Sequence, residues 1–312
     1  MLKELIKGKS TDNGYVVPVL KEQVLIDNAK DSADRRRDVF HPSDISREKY
    51  FCPRRWVLGA RNPELYKNDK INAQTAFRFM VGHQLHDMTQ RILGNAGVLF
   101  GTWNCRTCGH RVTGFKPDYK CAECGDSRWK YQEVPVIDNE LHIAGHTDGI
   151  VFLPEGKFIF EYKTSNHERY SSIIDAYEHH KKQALWYLDI KNRTRLDTAL
   201  KVSKYQDVSP EVVSKIEQPY DGVIVVYHDK NEQVHKEFIG KNDHKVLGKS
   251  KQFKVFSAND YKDDIDEMKE TLRETYAHYE NGTLPEKTCK YKSKGKARYC
   301  VAKGKCFEEA DE

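Results

Sequence analysis

The chain predicts an α/β protein, with a central mixed sheet flanked by helices and a small cysteine-bearing insertion. Three observations predict it. Apolar strand-like runs at residues 157–164 and 221–228 alternate with helical patterns at residues 74–93, 171–191 and 261–279. Between the first helix and those strands, Cys105, Cys108, Cys121 and Cys124 form C-x2-C-x12-C-x2-C. A composition of 38% hydrophobic and 32% charged residues fits a folded rather than a disordered chain. The length, 312 residues, allows two domains or one large domain with insertions. A net charge of +5 is too small to identify a nucleic-acid binder by itself.

No run approaches the roughly 18 apolar residues of a membrane helix, and the N-terminal stretch is too short and too charged for a secretory signal. The expectation is a cytoplasmic protein with no membrane partner. Thiols stay reduced in that compartment, so eight cysteines argue for metal sites rather than disulfides.

Residues 1–40 are weakly patterned and read as an N-terminal arm, with a short helix at 19–29 and a charged face at 34–38. From His41 the pattern sharpens. Ser43 and Ser46 stand as N-caps before a short helix, and Cys52 is followed by Pro53, Arg54 and Arg55. The helix at 74–93 carries an apolar stripe of Phe77, Met80, Val81, Leu85, Met88 and Ile92, beside a second stripe of Phe79, His83, His86 and Gln90.

Each C-x2-C pair is followed by a glycine, Gly109 or Gly125, which suits a tight knuckle with converging thiolates. Two knuckles complete a tetrahedral zinc site, so residues 101–132 read as an inserted zinc ribbon. With all four positions filled by thiolates, that zinc is not the catalytic centre; the ribbon either only folds its own segment or also touches DNA or a partner.

A strand pair follows at 134–152. Period-two alternation places His146 and Asp148 on one face, and Gly145 and Gly149 keep the backbone near the acid uncrowded. A short turn at 153–156 leads into the strand at 157–164, where Glu161 and Lys163 also share a face. Asp148 and Glu161 then lie side by side on adjacent strands. Two such carboxylates repel unless a cation lies between them, and hard ions such as Mg²⁺ or Mn²⁺ prefer oxygen donors.

In the helix at 171–191, Gln183 and Tyr187 lie four apart on one face. The stretch at 221–228 reads as a buried strand and 233–239 as an exposed one. The helix at 261–279 buries Ile265, Met268, Leu272 and Tyr276 and ends before Gly282. The last segment holds Cys289, Cys300 and Cys306, and its stretch 287–305 is basic with no acid, which suits either a phosphate backbone or a solvated tail.

The order of motifs is G-x-x-x-H at Gly82 and His86, G-x-x-D at Gly145 and Asp148, E-x-K at Glu161 and Lys163, and Q-x-x-x-Y at Gln183 and Tyr187. It resembles the PD-(D/E)XK nuclease superfamily in its RecB-like branch, over residues 41–306. Cys52 in a Cys-Pro-Arg context, with three cysteines after the core, is similar to the AddB nuclease and to the iron-sulfur exonucleases of CRISPR adaptation. The resemblance implies a restriction-endonuclease-like nuclease domain over 41–312, closed by a [4Fe-4S] cluster on Cys52, Cys289, Cys300 and Cys306. A second zinc site is the alternative for that set. Two departures stand out: the gap between Cys289 and Cys300 is longer than in that family, and Gln90 replaces an acid that relatives often carry.

By the same resemblance, His86, Asp148, Glu161 and the Tyr162 carbonyl would bind Mg²⁺ or Mn²⁺. Lys163 would orient water or stabilise the phosphate, and a role as general base would require burial to depress its pKa. Gln183 and Tyr187 would hold the lysine, a phosphate or a base. The implied activity is a DNA exonuclease in replication, recombination or repair, leaving 5′-phosphate ends. It would act on DNA that is single-stranded or has free ends, with replication or recombination proteins as partners, in a bacterial, archaeal or virus-infected cell. Two alternatives are a structure-selective endonuclease and a non-catalytic nucleic-acid-binding subunit using the ribbon and basic tail.

Overall fold

The structure, a computed structural model, describes residues 16–33, 35–68, 71–194, 218–241, 253–292 and 294–308. Four helices come first: α1 (Val16–Ala33), α2 (Pro42–Ile45), α3 (Pro53–Arg61) and α4 (Ala73–Asn95). Seven strands follow: β1 (Leu99–Cys105), β2 (Arg111–Phe115), β3 (Trp129–Gln132), β4 (Val134–Asp138), β5 (Ile143–Thr147), β6 (Gly149–Leu153) and β7 (Gly156–Ser165). Then come α5 (His167–Ser171), α6 (Glu178–Thr194), β8 (Gly222–Asp229), β9 (His235–Lys241), β10 (Phe253–Ser257), α7 (Lys262–Glu280) and α8 (Lys303–Glu308).

The main sheet runs β10-β9-β8-β7-β6-β1-β2, with β3 also paired to β1, while β4 and β5 form a separate two-stranded sheet. The β7–β8 and β9–β10 pairs are parallel and the other pairs are antiparallel, so the sheet is mixed. Phe158, Ile159, Phe160 and Tyr162 of β7 and Val223, Ile224 and Val225 of β8 are all buried. Burial on both faces explains why these strands read as continuous apolar runs.

Helix α7 buries Ile265, Met268 and Leu272 and is followed by Gly282 at φ +78°, as its spacing predicts. Helix α3 packs beside it. Arg61 donates to the carbonyls of His278, Tyr279, Gly282 and Thr283, and Arg54 donates to that of Pro285 at 2.9 Å. The early and late parts of the chain are thus stitched together by arginine hydrogen bonds to two carbonyls of the last turn of α7 and three in the segment after it.

Several expectations are corrected. Met80, Val81 and Ile92 are 43%, 44% and 55% exposed, so the apolar stripe reaches the core at Leu85 and not along its whole length. Ala76, Gln90 and Gly94 are the buried positions of that helix. A Cβ on Gly94 would lie 2.3 Å from the Trp103 ring, so its absence allows the close approach. His146 is exposed while Asp148 is buried, because the chain leaves the β4–β5 sheet at Thr147 and enters the main sheet at Gly149. That transfer breaks the alternation that would put them on one face.

Ser46 ends α2 rather than starting a helix, and Cys52 caps α3 by accepting from the Arg55 amide at 3.4 Å. The helix at 171–191 begins only at Glu178, after the short α5. Strand β9 buries Phe238, Ile239 and Gly240 because β10 covers its outer edge.

Candidate active site

Strand β7 carries the charges. In its pairing with β6, Gly149 lies opposite Phe160, so Asp148 enters the sheet across from Glu161. The buried Thr147 hydroxyl donates to the Phe160 carbonyl at 3.0 Å and to that of Gly149 at 3.2 Å, anchoring the crossing. Gly149 leaves room for a neighbour: a Cβ there would lie 2.6 Å from Leu99 Cδ1 and would push that side chain aside. Asp148 Oδ2 accepts from the Tyr162 amide at 2.7 Å. The Tyr162 backbone therefore borders the acid pair, while its phenol bonds His228 Nδ1.

His86 reaches in from α4, with Nδ1 at 3.2 Å from Asp148 Oδ1. On the next turn, Gln90 donates to the Asp148 carbonyl at 2.9 Å. Burial opposes charge on both His86 and Asp148. Their mutual attraction outweighs it, raising the imidazole pKa and, with help from Lys163 and the Tyr162 amide, lowering that of the acid.

Glu161 is 2% exposed, and its Oε2 has no hydrogen-bond partner among the described residues. Burial, reinforced by Asp148, holds its pKa up at about 7 despite Lys163. Lys163 Nζ donates to Glu161 Oε1 and, at 3.2 Å, to Gln183 Oε1. The Gln183 amide in turn donates to the Tyr187 hydroxyl at 3.2 Å. A continuous chain Glu161–Lys163–Gln183–Tyr187 thus joins β7 to α6. Burial works against the ammonium of Lys163, but Glu161 and Asp148 raise its pKa. Lys163 is therefore a charged donor at neutral pH, and the depressed pKa that a general base needs is not what this environment produces.

Glu133, just past β3, was not singled out by the sequence motifs. Its carboxylate lies with His86 and Asp148 in a group whose ligand atoms are within 4.8 Å of one another. Burial and Asp148 hold its pKa up at about 7. The signal was there in outline: Trp129 and Tyr131 alternate inward along β3, and Glu133 continues that alternation.

The two cysteine sets lie apart in sequence from this site. In the first, Cys105 and Cys124 Sγ are 3.5 Å apart and Cys108 and Cys121 Sγ 3.6 Å apart, with all four sulfurs within 4.8 Å of one another. Gly109 and Gly125 both adopt φ +74°, and their amides bond back to the Cys105 and Cys121 carbonyls. Two equivalent knuckles result, able to hold a metal. The Cys108 and Thr107 amides hold the Cys105 thiol down at about 7.

In the second set, Cys52, Cys289, Cys300 and Cys306 line one cavity together with Arg54, Arg55 and Lys287. No three of its sulfurs lie within 4.8 Å of one another among the described residues. Burial pushes the Cys300 and Cys306 thiols up.

The sequence matches no protein-family model and no curated protein. Five chains among solved structures match. One, an archaeal protein titled "Crystal structure of SSO0001", aligns over 93% of this chain and 94% of its own, at 14% identity and a TM-score of 0.36. The chemistry therefore rests on the residues of this chain. No helix of the described residues is long and apolar enough to cross a membrane.

Proposed function

We propose that the protein is a divalent-metal-dependent DNA exonuclease with a restriction-endonuclease-like core, in the PD-(D/E)XK manner. The observation that carries this reading is the set of buried Asp148 and Glu161 with half-buried His86 and Lys163, in which Glu161 Oε2 has no hydrogen-bond partner among the described residues. A buried carboxylate without its full complement of donors is costly while ionised, and either a proton or a cation relieves it. One imidazole with carboxylate oxygens fits Mn²⁺ or Mg²⁺.

His86, Asp148, Glu161 and the Tyr162 carbonyl would hold the ion, which supplies Lewis acidity and charge neutralisation at a phosphodiester. Asp148 is already oriented by the Tyr162 amide. The charged Lys163, steadied by Gln183 and Tyr187, donates to a phosphate oxygen or to the incoming water and stabilises charge that grows as the P–O3′ bond breaks. The product is a 5′-phosphate end.

The first cysteine set fits zinc. Zn–S bonds of about 2.3 Å place tetrahedral sulfurs roughly 3.8 Å apart, near the spacings of the two close pairs. Residues 101–132 are then an inserted zinc ribbon. The second set, four thiols around one cavity and not drawn together as closely as the first, fits a [4Fe-4S] cluster closing the nuclease domain. The ribbon and the basic tail would carry contacts to single-stranded or free-ended DNA in replication, recombination or repair.

The test is incubation of metal-replete protein with end-labelled linear and circular single-stranded DNA in Mg²⁺ or Mn²⁺. The linear strand is degraded, the circle persists, and Asp148→Asn abolishes the loss of label. Intact linear DNA under both ions overturns the proposal, and cut circles replace it with an endonuclease.

A further inference from the structure

Strand β3 leaves the second knuckle and returns along β1, with Trp129 opposite Cys105 and Gln132 opposite Thr102. Over that short run, roughly 13 Å at a strand's rise per residue, the chain passes from the thiolates to the acidic site. Three contacts set its register. Tyr131 donates to the Phe100 carbonyl at 2.9 Å, the Trp129 indole donates to the Tyr119 carbonyl at 3.2 Å, and Lys130 pairs with Asp87 of α4 at 3.4 Å. A one-residue slip would turn Glu133 to the opposite face.

At the end of this run Glu133 meets His86 and Asp148, all three ligand atoms within 4.8 Å of one another. Independently, Glu161 lies across from Asp148 with a buried, unpartnered Oε2. The field of Asp148 acts on both glutamates, so the three carboxylates and the imidazole belong to one electrostatic unit. Lys163 and a protonated His86 supply two positive charges, one fewer than the three acids carry when all are ionised.

We infer that Glu133 is a divalent-cation ligand delivered to the acidic site by the cysteine-bearing segment, and that metal occupancy of the four thiolates tightens cation binding there. The ligand class is a hard divalent ion such as Mn²⁺ or Mg²⁺. The inference rests on the proposed function only in treating His86 and Asp148 as cation donors, and its test requires no cleavage.

Mn²⁺ binding to the full-length, zinc-replete chain is measured by electron paramagnetic resonance. Glu133→Gln weakens binding at least about 10-fold, the smallest loss typical even of an outer partner. The thermal midpoint of the protein without Mn²⁺ stays put, and Glu123→Gln, at an exposed acid in the knuckle, leaves binding unchanged. Cys124→Ser also weakens Mn²⁺ binding but adds nothing in the Glu133→Gln background. Wild-type affinity in Glu133→Gln overturns the inference, as does an equal loss from Cys124→Ser with and without Glu133. If Cys124→Ser does not fold, Glu133→Gln alone decides whether the carboxylate is a ligand, and zinc chelation of the wild-type chain replaces the cysteine variant. A chain that binds Mn²⁺ through Glu133 yet cuts no DNA would defeat the nuclease reading and leave this one standing.

Discussion

The two sets of four cysteines are assembled in opposite ways. Cys105, Cys108, Cys121 and Cys124 are neighbours in sequence, and two glycine-assisted turns bring their sulfurs into contact. Cys52, Cys289, Cys300 and Cys306 are far apart in sequence and meet at one cavity only because α3 packs on the end of α7 and the tail returns past it. A metal in the first set therefore orders a local segment. A cluster held by the second would close a very long loop, for which the entropy removed from the unfolded chain is largest.

That contrast can be broken by mutation. Cys52→Ser has the largest expected effect, costing on the order of 3–5 kcal/mol by analogy with loss of a long cross-link, or roughly 10 °C in thermal midpoint for a chain of this size. Iron and visible absorbance in anaerobically purified protein disappear with it, while about one zinc per chain remains. Cys108→Ser does the reverse: zinc is lost, iron stays, and the midpoint falls by less, with the change concentrated in the fluorescence of Trp103 and Trp129. Equal losses of both metals in either variant would show that the sets are not independent. Gly109→Ala should have the smallest effect, about 1–2 kcal/mol of strain at φ +74° with no clash, since nothing lies within 4 Å of the added Cβ. Zinc affinity measured by chelator competition reads it.

The local set was legible in the sequence because its spacing is its geometry. The same holds for Asp148, Glu161 and Lys163, where strand period and a short turn suffice to bring the acids together. His86, Gln183 and Tyr187 were placed only by motif order, and their distances depend on how α4 and α6 pack over the sheet. The apolar stripe of α4 misled because the helix approaches the sheet on small and polar residues, with Gly94 against Trp103 and Gln90 on the Asp148 carbonyl. Glu133 was missed because a single acid after a strand has no motif, and only the inward alternation of Trp129 and Tyr131 hints at its direction.

Acidity gives a further handle on the site. The pKa of His86 is raised by its acidic neighbours, and those of Glu133 and Glu161 are held at about 7. These groups keep protons that ligation must displace, so affinity for Mn²⁺ rises as pH climbs from about 6 to about 8. Asp148, with its lowered pKa, is already ionised and contributes no slope in that window. Titration calorimetry in buffers of different ionisation enthalpy should register proton release on binding, and a pH-independent affinity would remove these residues from the ligand set.

The most direct test of the account is single-turnover cleavage of linear single-stranded DNA by Lys163→Met in saturating Mn²⁺, with Mn²⁺ binding measured on the same preparation. A lysine that handles phosphate and water but not the ion predicts retained Mn²⁺ binding and cleavage slower by roughly 10²–10³-fold. Cleavage at the wild-type rate, or no cleavage by the wild-type chain itself, would contradict it.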